Sequence, residues 1–135
     1  DYGAKIILRP KQLAQDESPE FLSWKHAINF LFKKNVFFDN FISLPPTSPL
    51  RSLKDIEVCL DELKSKDEIV ITVTPSHRNP WFNMVNLDNE KYATKFLSGG
   101  NINRRQDAPK SFDITTVAYV STPNFILNIS SGLSL

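Results

Sequence analysis

The feature that most constrains the fold is an alternation of strand-like and helix-like segments along the first half of the chain. Residues 5–9 form a β-rich run that ends at a proline, and residues 18–34 carry apolar side chains three and four positions apart, as an amphipathic helix does. An apolar run at 37–44, a helix starting at Ser52 and a strand at 68–74 follow. Alternation of this kind favours an α/β fold, with a mostly parallel sheet flanked by helices.

The second half begins with a long polar stretch, residues 76–112, that lacks periodic apolar positions. Strand composition returns at 115–120, and a short helix is expected at 123–127. We predict one domain over residues 1–135, with 76–112 as an arm that packs on a second copy of the chain. The aromatic side chains expected at that interface are Trp81, Phe82, Tyr92 and Phe96.

Composition excludes several classes of protein and partner. A chain of 135 residues with a net charge of +1 gives no argument for a nucleic-acid or membrane partner. The single cysteine, Cys59, cannot form an intrachain disulfide, and no apolar run has the length of a membrane span. We therefore expect a cytoplasmic protein. Because the chain starts at Asp1 and stops after a turn-like sequence, we also expect it to be a piece of a longer protein.

The loop at residues 45–51 is the first candidate binding segment. It lies where a predicted strand ends and a helix begins, which is the edge at which open α/β sheets bind ligands. Thr47 and Ser48 offer hydroxyl groups, and Arg51 offers a guanidinium that suits an anion. The alternative interpretation is a stiff connection with a surface arginine.

Two further segments carry polar groups suited to ligands. Residues 103–107 place Arg104, Arg105 and Gln106 together, and two arginines can bind a carboxylate or phosphate through paired hydrogen bonds. The alternative is a solvated charge run. Residues 76–84 combine Arg, His, Asn and aromatic side chains, or are simply a loop anchored by its aromatics. His77 has no second His or Cys at ligand spacing, so we predict no metal site within this chain.

Taken together, these segments resemble the acylneuraminate cytidylyltransferases, the CMP-sialic acid synthetase family. The residues that carry the resemblance are Leu8, Arg9, Pro10, Leu13, Ala14 and Asp16, the string at 44–51, the string at 104–107, Pro109, Ala118 and Tyr119. The two strings are each moderately specific, and their order and spacing make them strong together.

The resemblance implies a Rossmann-like nucleotidyltransferase fold and a homodimer with exchanged arms. It implies transfer of CMP from CTP to a nonulosonic acid such as sialic acid, with release of pyrophosphate and a need for Mg²⁺. By position, Arg9 is expected on the nucleotide side and Thr47, Ser48 and Arg51 in the floor of the site. Arg105 and Gln106 are expected on the sugar side.

The sequence also departs from the family pattern. Many members have a sugar-contacting glutamine where this chain has Pro45, and a basic residue where it has Asp113. The family's phosphate-binding N-terminal loop and its C-terminal, metal-holding aspartates are missing, so we expect this stretch alone to be inactive. Two alternatives stay open: a cytidylyltransferase for another keto-acid sugar, such as an octulosonic acid, and a non-catalytic sugar- or nucleotide-binding module.

Overall fold

The computed structural model describes residues 2–64, 68–100 and 102–129. Its helices and strands in chain order are α1 (Glu20–Phe32), β1 (Phe41–Ser43), α2 (Leu53–Glu62), β2 (Ile69–Pro75), β3 (Val85–Leu87), β4 (Ala93–Lys95), β5 (Phe112–Ser121) and α3 (Pro123–Asn128). The structure confirms the two long helices predicted from the sequence, as α1 and α2. It also confirms the predicted strands at 68–74 and 115–120, as β2 and β5, and the short helix α3.

The main sheet has the strand order β1-β5-β2, and its central strand runs against its neighbours. β1 pairs with β5 in antiparallel register, with Ile42 opposite Val120. Along the other side, Ser121 Oγ donates to the carbonyl of Glu68, while Thr72 Oγ1 donates to the carbonyl of Thr115. From Glu68 to Thr72 the residue number rises, while the partner on β5 falls from Ser121 to Thr115. β2 and β5 are therefore antiparallel too.

The prediction of a mostly parallel, Rossmann-like sheet is therefore wrong. β1 and β2 are connected through α2, as a parallel crossover would be, but they do not pair with each other. β5 returns from the far end of the chain and lies between them. Local apolar patterning cannot reveal this insertion, because a strand buried on both faces reads the same whichever direction its neighbours run.

The strand-like run at residues 5–9 is the second correction. It pairs with no strand in the described part of the chain, and Ile6 and Leu8 are 84% and 83% exposed. A β-rich composition favours a strand only where another strand supplies the hydrogen bonds, and no described segment supplies them here.

The core lies on both faces of the main sheet because side chains of β5 alternate in direction. Tyr119 packs with Trp24, Ile28 and Ile126 of the flanking α1 and α3, and the Trp24 ring lies 5.4 Å from that of Tyr119. The opposite face packs against α2 through a cluster that comprises Cys59, Ala118 and Val120. Burial of a valine or isoleucine side chain stabilises a fold by about 1.5–3 kcal/mol, so these two clusters hold the sheet between its helices.

α2 begins with the capping box that its sequence predicts. Asp55 N–H donates to Ser52 Oγ at 3.3 Å, and Ser52 N–H donates to Asp55 Oδ2 at 2.8 Å. These reciprocal bonds satisfy two backbone donors that a helix start otherwise leaves free. On the same helix, burial raises the pKa of the Cys59 thiol, which keeps it protonated and unreactive at neutral pH.

Close contacts divide the chain into two compact units: Asp1–Ile71 with Thr116–Leu135, and Thr72–Thr115. The second unit contains the β3–β4 hairpin, in which Asn86 pairs with Thr94. The Asp88 carboxylate accepts from the N–H groups of Glu90 and Tyr92 and so closes the hairpin turn. None of the helices in the described ranges has the length and apolar character needed to cross a membrane.

Candidate functional site

The loop between β1 and α2 is tied to β5 through three hydroxyl groups. Thr47 Oγ1 and Ser48 Oγ lie 2.9 Å and 2.8 Å from Thr116 Oγ1, in the middle of β5. Pro45, at the start of the loop, is buried. The prolines at 45, 46 and 49 restrict the backbone, so the loop loses little conformational freedom when these hydroxyls pair.

Arg51 holds the same loop from its other end. Its Nη2 donates to the carbonyl of Pro45, which closes the loop on itself. Its Nε is buried and has no hydrogen-bond partner in the part of the chain that the structure describes. The guanidinium is thus partly committed to the loop and partly unsatisfied, and a buried unsatisfied donor is a costly feature unless a ligand or water meets it.

A pocket of about 390 Å³ opens beside this loop. Its lining residues are Thr47, Ser48, Pro49, Leu50, Arg51, Asp55 and Val117. The carboxylate of Asp55 is engaged in the capping box, and its hydrogen bonds from the Ser52 backbone and hydroxyl lower its pKa. The structure therefore brings three of the predicted binding residues, Thr47, Ser48 and Arg51, around one cavity.

The two neighbouring arginines of the second unit differ in their partners. Arg104 donates through Nε and Nη2 to the two carboxylate oxygens of Asp107, at 3.0 and 2.9 Å, and this pairing raises its pKa. Arg105 donates through Nη2 to the carbonyl of His77 at 2.9 Å and is exposed, as is Gln106. Arg105 therefore keeps more of its guanidinium available to an anion than Arg104 does.

Arg9 is not among the residues that line the loop pocket, and the predicted aromatic residues of the arm belong to the second unit, Thr72–Thr115. Arg9 is exposed and donates to Ser23 Oγ at 3.3 Å. In the predicted arm, Trp81 and Phe82 are half-buried, while Tyr92 and Phe96 are 68% and 47% exposed.

Asn79, which lies in the candidate segment 76–84, has a structural role that the sequence analysis did not predict. It is buried, and its Nδ2 donates to the Pro109 carbonyl at 2.7 Å and to Ser111 Oγ at 3.3 Å. Its Oδ1 accepts from the N–H of Trp81 at 3.0 Å. Asn79 thereby ties the segment before the hairpin to the segment before β5. The Asn-Pro pair at 79–80 is a turn signal, but it does not reveal partners thirty residues away.

Comparison with known proteins gives several relatives, three of which are described below. The chain is 29% identical to post-translational flagellin modification protein B of Campylobacter coli, over 96% of this chain and 56% of that protein. It is 36% identical over 62 residues to CMP-N,N'-diacetyllegionaminic acid synthase of Campylobacter jejuni, which is 46% of this chain. It is 35% identical over 79 residues to N-acylneuraminate cytidylyltransferase of Escherichia coli, which is 57% of this chain. The chain is a divergent relative of the acylneuraminate cytidylyltransferases.

The relationship to these cytidylyltransferases confirms the resemblance read from the sequence strings. No family model matches the chain. The chain spans about half the length of the flagellin modification protein, and 26% and 18% of the other two relatives. The relatives thus indicate the general class of nucleotidyltransferase.

The described residues do not fit the magnesium ion that such cytidylyltransferases imply. Nowhere in ranges 2–64, 68–100 and 102–129 do three His, Cys, Asp or Glu side chains come together. Mg²⁺ is usually held by one or two carboxylates together with substrate phosphates, so a free carboxylate at the pocket would be needed. Asp55, the one acidic side chain that lines the loop pocket, is engaged with Ser52.

Proposed function

We propose that the full-length protein transfers CMP from CTP to an acidic nonulosonic sugar, with release of pyrophosphate, for surface-glycan biosynthesis. The observation that carries the proposal is the similarity to a CMP-sugar synthase and to an acylneuraminate cytidylyltransferase. The hydroxyl- and arginine-lined pocket beside the β1–α2 loop supports it, because a site for anionic substrates needs hydrogen-bond donors held in place.

In the proposed reaction, the sugar's anomeric oxygen bonds to the α-phosphorus of CTP. The bond from that phosphorus to the bridging oxygen breaks, pyrophosphate leaves, and the hydroxyl proton passes to solvent. Such a transfer depends on positioning and on neutralising charge. We assign Thr47 and Ser48 to the floor of the site, with Arg51 holding their loop. Arg105 and Gln106 are assigned to the sugar acid, whose carboxylate matches the planar guanidinium.

We also propose that Arg9 contacts the nucleotide, that the reaction requires Mg²⁺ and that the protein forms a homodimer. The exposed aromatic residues Tyr92 and Phe96 support an interface formed by residues 76–112. For the metal, we propose ligands other than the described residues. A chelator titration of the full-length enzyme, with activity restored by added Mg²⁺, would test that requirement.

Pro45 bears on the identity of the sugar. It supplies no side-chain hydrogen-bond donor, and its carbonyl accepts from Arg51. A sugar that depends on an amide contact at this position would be bound weakly. We propose a sialic-acid-like substrate because of the named relatives, and Pro45 is the reason to keep an octulosonic acid as the competing substrate.

The test is a turnover assay on the full-length protein. It is incubated with CTP, MgCl₂ and, in separate reactions, sialic acid, a legionaminic acid and an octulosonic acid. Pyrophosphate release and the mass of the CMP-sugar are measured. We expect product with at least one nine-carbon acid. Product with only the octulosonic acid would shift the substrate class, and saturable binding of CTP or sugar without turnover would establish a binding module instead.

A further inference from the structure

The structure assigns Thr116 as a positioning residue for the Thr47–Ser48 loop. This inference rests on the proposed function and extends it to a strand residue that lines no part of the pocket itself. Thr116 Oγ1 is the atom shared by the two contacts, at 2.9 Å to Thr47 Oγ1 and 2.8 Å to Ser48 Oγ. One side chain on β5 thereby holds two adjacent side chains of the loop.

The three hydroxyls of Thr47, Ser48 and Thr116 have one hydrogen more than their two mutual contacts need. Three hydroxyls carry three hydrogens, and the two contacts use two of them. When Thr116 donates to one loop hydroxyl and accepts from the other, one loop hydroxyl keeps its hydrogen for a ligand. An anionic substrate in the pocket would favour this arrangement, because it offers the negative charge a donor.

The neighbouring threonine is a matched control within the same strand. The side chain of Thr115 leaves the opposite face of β5, and its Oγ1 donates to Thr72 Oγ1 at 2.7 Å. It makes a hydroxyl–hydroxyl bond of the same kind as Thr116 but does not contact the loop. A valine at either position removes one hydroxyl, keeps the side-chain shape and retains the β-branching that suits a strand.

The test uses the full-length protein with Thr116→Val, Thr116→Ser and Thr115→Val. We expect Thr116→Val to lower kcat/KM about ten- to thirtyfold, as the loss of two hydrogen bonds implies. The loss should arise mainly from a higher KM and not from a lower kcat. Thr116→Ser keeps the hydroxyl and should stay within about threefold of the unchanged enzyme. Thr115→Val should change kcat/KM less than about twofold.

Amide hydrogen exchange of peptides from residues 44–52 gives a second readout that does not need activity. Exchange there should be faster in Thr116→Val than in Thr115→Val. Equal exchange in the two variants, equal losses of kcat/KM, or failure of serine to restore kcat/KM would each overturn the inference. If the unchanged protein transfers no CMP, the proposed function fails, while exchange and calorimetric CTP binding by the same variants still decide the role of Thr116.

Discussion

Removal of the Asn79 side chain should selectively loosen the unit formed by Thr72–Thr115. Three hydrogen bonds end on this amide, from Trp81 N–H and to the Pro109 carbonyl and Ser111 Oγ. Asn79 is 8% exposed, so alanine would leave groups around it without a partner where little water reaches them. Ser111 Oγ would keep its bond to the carbonyl of Arg78, at 3.0 Å.

The magnitude follows from those bonds. A neutral hydrogen bond contributes a net ~1 kcal/mol, and an abandoned buried donor or acceptor costs about 1–3 kcal/mol. Because Ser111 retains a partner, two groups are left unpaired, and we expect Asn79→Ala to lower the free energy of opening this unit by about 2–4 kcal/mol. Asn79→Asp should cost at least as much, since a carboxylate cannot donate to the Pro109 carbonyl.

Amide hydrogen exchange measures this change directly. A loss of 2–4 kcal/mol corresponds to a drop in protection of roughly 30- to 1,000-fold for peptides within residues 72–115. Asn86→Ala, at an exposed position of β3, is the control and should stay within about 0.5 kcal/mol. If Asn79→Ala and Asn86→Ala give the same protection, the amide does not hold this unit together and the reasoning fails.

Arg105→Ala in the full-length protein should lower kcat/KM for the sugar by the equivalent of about 1.5–3 kcal/mol of transition-state stabilisation and leave the KM for CTP nearly unchanged. Arg104→Ala should lower the same kcat/KM by the equivalent of no more than about 0.5 kcal/mol. Initial rates with each substrate varied in turn would show this, and a larger loss from Arg104→Ala would reverse the assignment. Because the pKa of the Asp55 carboxyl is lower in the folded than in the unfolded protein, the ionised carboxylate stabilises the fold. This stabilisation is fully present above about pH 4 and is lost as the pH falls through the pKa of the folded protein. The difference between the urea midpoints at pH 6 and pH 3 should therefore be smaller in Ser52→Ala than in the unchanged protein. An equal difference in the two proteins would contradict the capping-box explanation. Replacing Tyr92 and Phe96 by serine should weaken self-association of the full-length protein at least about tenfold in sedimentation, whereas a monomeric unchanged protein would rule out the arm interface.

Local signals were sufficient for the helices. The apolar spacing that predicts α1 also identifies Trp24 and Ile28, which lie in its buried face. The Ser52–Asp55 pair predicts the start of α2 because both reciprocal bonds form within four residues of chain. Sequence reasoning works here because every interaction it needs lies within one helical turn.

The candidate site was predictable in part. The loop residues Thr47, Ser48 and Arg51 follow one another closely, so their position between a strand and a helix was enough to place them together. Thr116 and Asn79 were not found, because their hydrogen-bond partners lie 68–69 and up to 32 positions away. A single threonine or asparagine in the sequence carries no sign of such a partner.

The sequence alone thus determined the helices α1, α2 and α3 and the strands β2 and β5, and it singled out the loop at 45–51. Only the tertiary structure decided that β5 lies between β1 and β2 and runs against both. The period-two pattern of a strand records which side chains are buried, and burial is the same for parallel and antiparallel neighbours. Strand order and direction come from backbone hydrogen bonds between distant segments. For the same reason, the apolar run at residues 5–9, which has no pairing strand in the described part of the chain, does not become a strand.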